Sequence, residues 1–169
     1  MMTNHQSAVK EKLDTWEEHV DAINSQGLKL RVGTSEKVVK VRAASDCRGI
    51  GPADLIIVLV KSFNTREAIE NAGPIIGEKT VIMSLQNGLG NEEIIGEVVG
   101  KEHVVGGRTF AGGSVLAPGH VIASTTGKPT YIGELDGAIT QRVEPDGRGI
   151  QTSRLVDHRE FQYRRDHVG

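Results

Sequence analysis

Apolar and polar positions follow two different rhythms along this chain. Trp16, Val20 and Ile23 recur at helical spacing, and Gly27 stands just beyond them. Ahead of them, Thr15 can accept from the backbone at Glu18 while Glu18 reaches back, which is a capping box. The spacing predicts a helix over residues 16–26, with Gly27 as its left-handed stop. Leu28, Leu30 and Val32 then alternate with Lys29 and Arg31, and Val39, Val41 and Ala43 alternate around Lys40 and Arg42. A period of two predicts two half-exposed strands, joined by a turn at residues 33–37.

A different pattern begins at Leu55. The run Leu55-Ile56-Ile57-Val58-Leu59-Val60 is apolar on both faces, as a parallel strand is when helices cover both sides of its sheet. Asn64 with Glu67 repeats the helix-start signal, and Ala68, Ile69 and Ala72 form an apolar stripe behind it. Residues 80–85 predict a second buried strand. Residues 91–99 predict a helix with Ile94, Ile95, Val98 and Val99 on one side and Gly100 as its stop. Val104-Val105 starts another short strand. Strands alternating with helices predict βαβ units in a doubly wound parallel sheet. After Gly106 the texture changes: residues 121–124 and 130–133 flank Thr125-Thr126-Gly127-Lys128-Pro129, which predicts an appended antiparallel ribbon. Residues 1–12 are polar and aperiodic. From Glu144 the pattern ends in the breaker cluster Pro145-Asp146-Gly147-Arg148-Gly149. Residues 154–167 are dense in charge and sparse in apolar positions, a composition that predicts disorder.

Composition narrows the function classes. A length of 169 residues suits one ordinary domain. The net charge of −2, with signs mixed, gives no electrostatic footprint for nucleic acid or an acidic membrane. One Trp, two Tyr and three Phe are too few for a base-stacking platform. The longest apolar run, residues 55–60, falls far short of a membrane span, and the first residues hold no signal-peptide core. Cys47 is the single cysteine, so no internal disulfide can form and a reducing cytoplasm is expected. Between Asp46 and Arg48 it reads as a loop or core thiol. The six histidines show no metal-ligand spacing and read as ordinary surface residues, so no metal is expected.

The candidate chemistry sits where the apolar runs stop. Val81 to Leu85 breaks into Gln86-Asn87-Gly88-Leu89-Gly90 and then into Asn91-Glu92-Glu93, the grammar of strand, tight loop and helix. In open α/β sheets ligands sit at such strand ends. Lys61 stands just past the other buried strand. Gly88 and Gly90 let backbone approach a ligand closely. Each feature also has an ordinary reading: a lysine after a strand as solvated punctuation, an Asn-Gly pair as a turn. There is no G-x-G-x-x-G, because Glu93 stands where the third glycine belongs, and no G-x-S-x-G or complete phosphate loop.

Taken in order, these segments resemble the ketopantoate reductase (2-dehydropantoate 2-reductase) family. Ala53 to Lys61 is similar to the family's fourth strand with its terminal lysine, and Leu85-Gln86-Asn87-Gly88-Leu89-Gly90 matches its L-Q-N-G-x-G. Val105-Gly106-Gly107-Arg108 through Pro118-Gly119-His120-Val121 to Ile132-Gly133-Glu134 is similar to the ribbon that follows. Upstream, Trp16 to Ile23 with Gly27-Leu28 resembles the helix after the family's second strand. The resemblance covers residues 13–143, flanked by unmatched segments 1–12 and 144–169. It implies NADPH-dependent reduction of a 2-keto acid to a 2-hydroxy acid on the route to pantothenate and coenzyme A. It implies that Lys61 meets cofactor ribose or phosphate, or the substrate carboxylate. It gives Asn87 the nicotinamide side and the substrate oxygens. Gln86, Gly88 and Gly90 join this binding set, and His120 is structural.

The same resemblance marks what these residues lack. The family opens with a strand, a glycine-rich loop and a helix, whose N-terminus would hold the pyrophosphate. Nothing in residues 1–12 resembles it. The family's C-terminal helical domain supplies a lysine general acid, and no lysine follows Lys128 here. The expectation is an incomplete doubly wound, Rossmann-like sheet, shifted in frame or truncated at both ends, with no complete catalytic set. Without the first two strands, one edge of residues 55–60 is bare, a template for self-association. A non-catalytic interaction module is therefore one alternative. A dehydrogenase for another hydroxy acid or a sugar phosphate is the other.

Overall fold

The computed structural model describes residues 17–143. Thr15, Trp16, the segment 1–12 and the tail 144–169, each given a reading above, lie outside the described residues. In chain order the elements are helix α1 (Glu17–Gln26) and strands β1 (Leu28–Val32), β2 (Ser35–Val39) and β3 (Leu55–Val58). Then come helix α2 (Thr65–Asn71), strand β4 (Val81–Ser84) and helix α3 (Asn91–Val99). Strands β5 (Val104–Thr109), β6 (Gly112–Ala117), β7 (His120–Ser124) and β8 (Thr130–Gly133) complete them. The described residues divide into two units, 17–46 with 112–126 and 47–111 with 127–143.

The first unit holds a four-stranded sheet in the order β2-β1-β7-β6. β1 runs parallel to β7, and the other pairs are antiparallel. The hairpin differs from the predicted one. Val32 already pairs with Ser35, so the turn is the dipeptide Gly33-Thr34 and β2 starts four residues before Val39. This register sets Arg31 opposite Glu36, with their charges 3.4 Å apart, and opposite charges are favoured at directly facing positions. Val41 and Ala43 alternate for another reason: they pack under α1 with Val20, Ile23 and Leu28. The Asn24 carboxamide clamps Ala43 there, donating to its carbonyl at 2.9 Å and accepting its N–H at 3.0 Å. His19 is also a correction, being 2% exposed rather than a surface histidine; its Nδ1 accepts the Gly119 N–H at 3.0 Å. His120 has its Nε2 3.0 Å from Glu36 Oε2 across the sheet.

The second unit holds the βαβ units, with strand order β3-β4-β5-β8. β3, β4 and β5 are parallel, and β8 is antiparallel to β5. Alternation sends Ile56, Val58, Ile82 and Val104 to one face, where Ile69 of α2 and Ile95 of α3 meet them. Ile82 and Ile95 are fully buried, each worth about 3 kcal/mol in removed apolar surface. The other face packs Met83, Val105, Ile132 and Val143 with Leu55, Val81 and Leu85. α3 keeps its predicted bounds. β3 is shorter than predicted and is the terminal strand of its sheet, so it is not buried on both faces: Ile57 is 46% exposed. Asn64 makes no side-chain cap at α2; the Thr65 hydroxyl donates to Ser62 O at 2.8 Å instead.

The predicted ribbon is not a ribbon. Its two halves pair in different sheets, β7 with β1 and β6, and β8 with β5. Residues 125–129 therefore connect two sheets rather than turn a hairpin. β8 is held by Thr130 opposite Thr109, whose hydroxyls are 2.9 Å apart. Beyond β8, Glu134 is 7% exposed and is gripped by Arg142 at 2.7 Å (Nε) and 2.6 Å (Nη2), and by the Thr140 hydroxyl. Arg142 also donates to the carbonyls of Glu102 and Val104.

Burial by itself raises the Glu134 carboxyl, but the hydrogen bonds from Arg142 and Thr140 outweigh it and hold it below the ordinary glutamate value. A depressed carboxyl adds stability above its unfolded value, and the gain is lost as pH falls through the folded value. Arg142→Ala should cost about 3 kcal/mol near neutral pH by stranding a buried carboxylate. The deficit should shrink on acidification, as Glu134 takes up a proton. Urea unfolding of both chains across the acid range checks this, and a deficit unchanged by pH would remove the ion pair from the explanation.

Candidate functional site

The carboxyl ends of β3 and β4 carry all the residues singled out from the sequence. β3 ends at Val58, and Leu59 and Val60 lead to Lys61, which is exposed and extended (φ −63°, ψ 143°). The Lys61 carbonyl accepts the Asn64 N–H at 2.8 Å, closing the 3₁₀ turn that enters α2. Opposite, β4 ends at Ser84, and Leu85 N–H still donates to Val58 O at 3.1 Å. The chain then turns through Gln86, Asn87, Gly88, Leu89 and Gly90 into α3.

Gln86 is only partly buried, yet its amide is fully engaged inside the protein. Nε2 donates to Val60 O at 2.7 Å and to Thr65 Oγ1 at 2.9 Å, and Oε1 accepts from Ser84 Oγ at 3.2 Å. One side chain thus joins the end of β3, the end of β4 and the start of α2. The Thr65 hydroxyl proton is shared between Ser62 O at 2.8 Å and Asn91 Oδ1 at 3.2 Å. Asn91, 1% exposed, completes the chain by donating from Nδ2 to Asn87 O at 3.3 Å. The network pins the backbone of Asn87 and leaves its side chain outward.

The two loop glycines have a local reason. Gly88 (φ 104°) and Gly90 (φ 83°) both lie in the left-handed region, and Gly90 is the residue before the first turn of α3. A side chain at either position would strain the turn. Among the described residues, neither the Lys61 ammonium nor the Asn87 carboxamide takes a partner. The loop therefore offers an ammonium, a carboxamide and a rigid backbone at the strand ends, a set able to hold an acid's oxygens. Thr65 and Asn91 went unnoticed in the sequence. Their signal is faint: each opens a helix, and each reads as ordinary helix-start chemistry.

A second cavity-forming region lies at the opposite, amino ends of the strands. It encloses about 1050 Å³ and is lined by Leu55, Val81, Val104, Glu134, Asp136 and Arg142 among others. Its charged centre is the Glu134–Arg142 pair, whose donors and acceptors already serve the fold. It does not adjoin the Lys61–Asn87 end.

Comparison with known proteins converges on one family. A family model described as ketopantoate reductase PanE/ApbA matches residues 7–137. The 2-dehydropantoate 2-reductase of Pyrococcus abyssi is 42% identical over 114 residues, covering 68% of this chain and 36% of that protein. The solved 2-dehydropantoate 2-reductase of Geobacter metallireducens superposes with a TM-score of 0.68 at 31% identity, covering 75% of this chain and 42% of the other. A ternary structure of D-mandelate dehydrogenase with NADH and anilino(oxo)acetate gives a TM-score of 0.65 at 25% identity, over 78% of this chain and 40% of that one. The chain spans about a third of the length of the curated relatives it matches.

Removing the bridge should be measurable. Gln86→Ala is expected to destabilise the chain by about 2 kcal/mol, because Val60 O and Thr65 Oγ1 lose their donor together. Thr65→Val should cost less on top of Gln86→Ala than it does alone, since the two groups share a bond. Urea melts of the two single variants and the double variant give the coupling; strict additivity would show that the bridge carries no joint energy.

Proposed function

The chain belongs to the ketopantoate reductase family, and on that premise we infer that it carries the substrate and nicotinamide side of a site that reduces a 2-oxo acid to a 2-hydroxy acid. The proposed reaction is reduction of 2-dehydropantoate to pantoate with NADPH, in the cytoplasm, where Cys47 would stay reduced. The observation that carries the reading is that Lys61 and Asn87, both without a side-chain partner among the described residues, follow the carboxyl ends of two neighbouring parallel strands, Asn87 on a network-braced loop.

Roles follow from the chemistry of each group. The Asn87 carboxamide both donates and accepts, so it can bind the nicotinamide side and the carbonyl oxygen of the substrate. The Lys61 ammonium can hold a ribose hydroxyl, a phosphate or the acid's carboxylate. Gln86 acts by fixing the loop, and Gly88 with Gly90 by letting it turn. The cofactor, when bound, supplies the hydride. The residues here fit its nicotinamide end. They do not fit its pyrophosphate, since the 169 residues contain no G-x-G-x-x-G loop. The lysine that the family uses as general acid also has no counterpart after Lys128.

Two other readings have specific support. The edge position of β3, with Ile57 46% and Leu59 64% exposed, favours pairing with a second chain. The likeness to D-mandelate dehydrogenase favours a hydroxy acid other than pantoate, with NADH in place of NADPH.

The purified 169-residue chain should oxidise NADPH with 2-dehydropantoate at least about 100-fold more slowly than a full-length reductase, the usual contribution of one proton donor. Turnover close to that of a full-length enzyme would overturn the account of the absent groups. Light scattering after size exclusion examines the edge separately: concentration-dependent dimers are expected, and a monomer at every concentration would exclude pairing through β3.

A further inference from the structure

Arg108 is a half-buried cation at this end of the sheet that the Lys61–Asn87 reading leaves without a role. It lies on β5, two residues beyond Gly106, the last residue of that strand paired with β4. Strand alternation puts it on the face of Val104, the side covered by α2 and α3, and past the carboxyl end of β4. It is half-buried, and among the described residues it has no acidic partner.

Its guanidinium is nevertheless held in place. The carbon at its centre lies 4.7 Å from the centroid of the Phe110 ring. Phe110 in turn meets Tyr131 edge to face, with ring centroids 5.9 Å apart and planes at 83°. Tyr131 is the residue directly opposite Arg108 on β8, so the three side chains occupy one face of one strand pair. The Phe110 N–H donates to Pro129 O at 3.2 Å and fixes the ring's backbone. The contact uses the π face of Phe110, and among the described residues no acceptor takes the guanidinium N–H groups, which stay available. A pre-set fork of that kind matches the two oxygens of a carboxylate.

We propose that Arg108 is a specificity-determining residue that receives the carboxylate of the oxo acid, at the site where Asn87 holds the reacting end. This rests on the function proposed above and adds to it which residue selects acids. A phosphate of the cofactor offers similar oxygens. The carboxylate is favoured because Arg108 sits two strands in from the open β3 edge, on the side of the Asn87 loop. In doubly wound sheets the dinucleotide lies across the switch point, which here corresponds to the β3 side. Lys61, at the end of β3, is then the cation nearer the cofactor.

The test is a nuclear magnetic resonance titration of the isotope-labelled full chain with three probes: 2-dehydropantoate, its methyl ester and NADPH. The acid should shift the Arg108 Nε–Hε signal together with the amides of Asn87 and Gly88, and the ester should not. Arg108→Met should weaken acid binding by about 10- to 100-fold, the loss of a charge-assisted pair. Arg108→Lys, which keeps charge but not the fork, should fall between, and an unchanged thermal melt confirms that each variant is folded. If the unaltered chain binds the acid and Arg108→Met binds it equally well, this inference is wrong and the function proposed above stands. If Arg108→Met loses NADPH and keeps the acid, the fork serves a phosphate and the carboxylate assignment is overturned. If the unaltered chain binds neither the acid nor NADPH, the function proposed above fails and takes this inference with it.

Discussion

The candidate site depends on one carboxamide. Gln86 donates to Val60 O and Thr65 Oγ1 and accepts from Ser84, so the ends of β3 and β4 and the start of α2 meet on a single side chain. Hydrophobic burial alone cannot specify that junction. The apolar residues under α2 and α3 align the strands and helices, but they say nothing about how the chain leaves the strands. Directional bonds do. Through Thr65 and Asn91 the same network reaches Asn87 O, so the residue assigned to the substrate is fixed by its backbone while its side chain stays outward. Those bonds and two left-handed glycines account for the turn between β4 and α3.

The sheet built on β3, β4 and β5 ends abruptly on one side. Among the described residues β3 has β4 on one flank only, and Ile57 in the strand and Leu59 just beyond it are substantially exposed. An edge of this kind has unpaired backbone groups as well as apolar side chains, and each is a reason to pair. The edge strand and the proposed binding groups therefore adjoin: Lys61 follows β3 and Asn87 follows its neighbour β4.

Local pattern was a good guide wherever the answer was local. α3 kept its predicted bounds, and β3 and β4 fell within their apolar runs, since period and caps determine such elements. The turn at Gln86 to Gly90 was legible as the break between an apolar run and a helix start; its likeness to the family's loop came from the resemblance. Partner choice was not. Residues 120–124 and 130–133 both look like strands, and nothing in either says that they enter different sheets. The hairpin register turned on Arg31 facing Glu36, a cross-strand matter. His19 read as a surface residue because its partner, the Gly119 N–H, is a hundred residues away. Thr65 and Asn91 were hidden likewise, being ordinary helix-start residues until Gln86 folds against them.

The two half-buried arginines of this unit show how the structure separates fold from function. Arg142 directs its N–H groups at Glu134 and at two backbone carbonyls, so its charge is neutralised and its geometry complete. Four of its five N–H groups are thus engaged inside the fold. Arg108 has the opposite arrangement. Its guanidinium carbon lies 4.7 Å from the centre of the Phe110 ring, and no carboxylate among the described residues answers its charge. Holding a guanidinium half-buried without an anion is unfavourable unless something else supplies one. The aromatic stack recovers only part of that deficit. The remainder is available to an incoming anion, which is why Arg108, and not Arg142, is the arginine proposed to take a carboxylate.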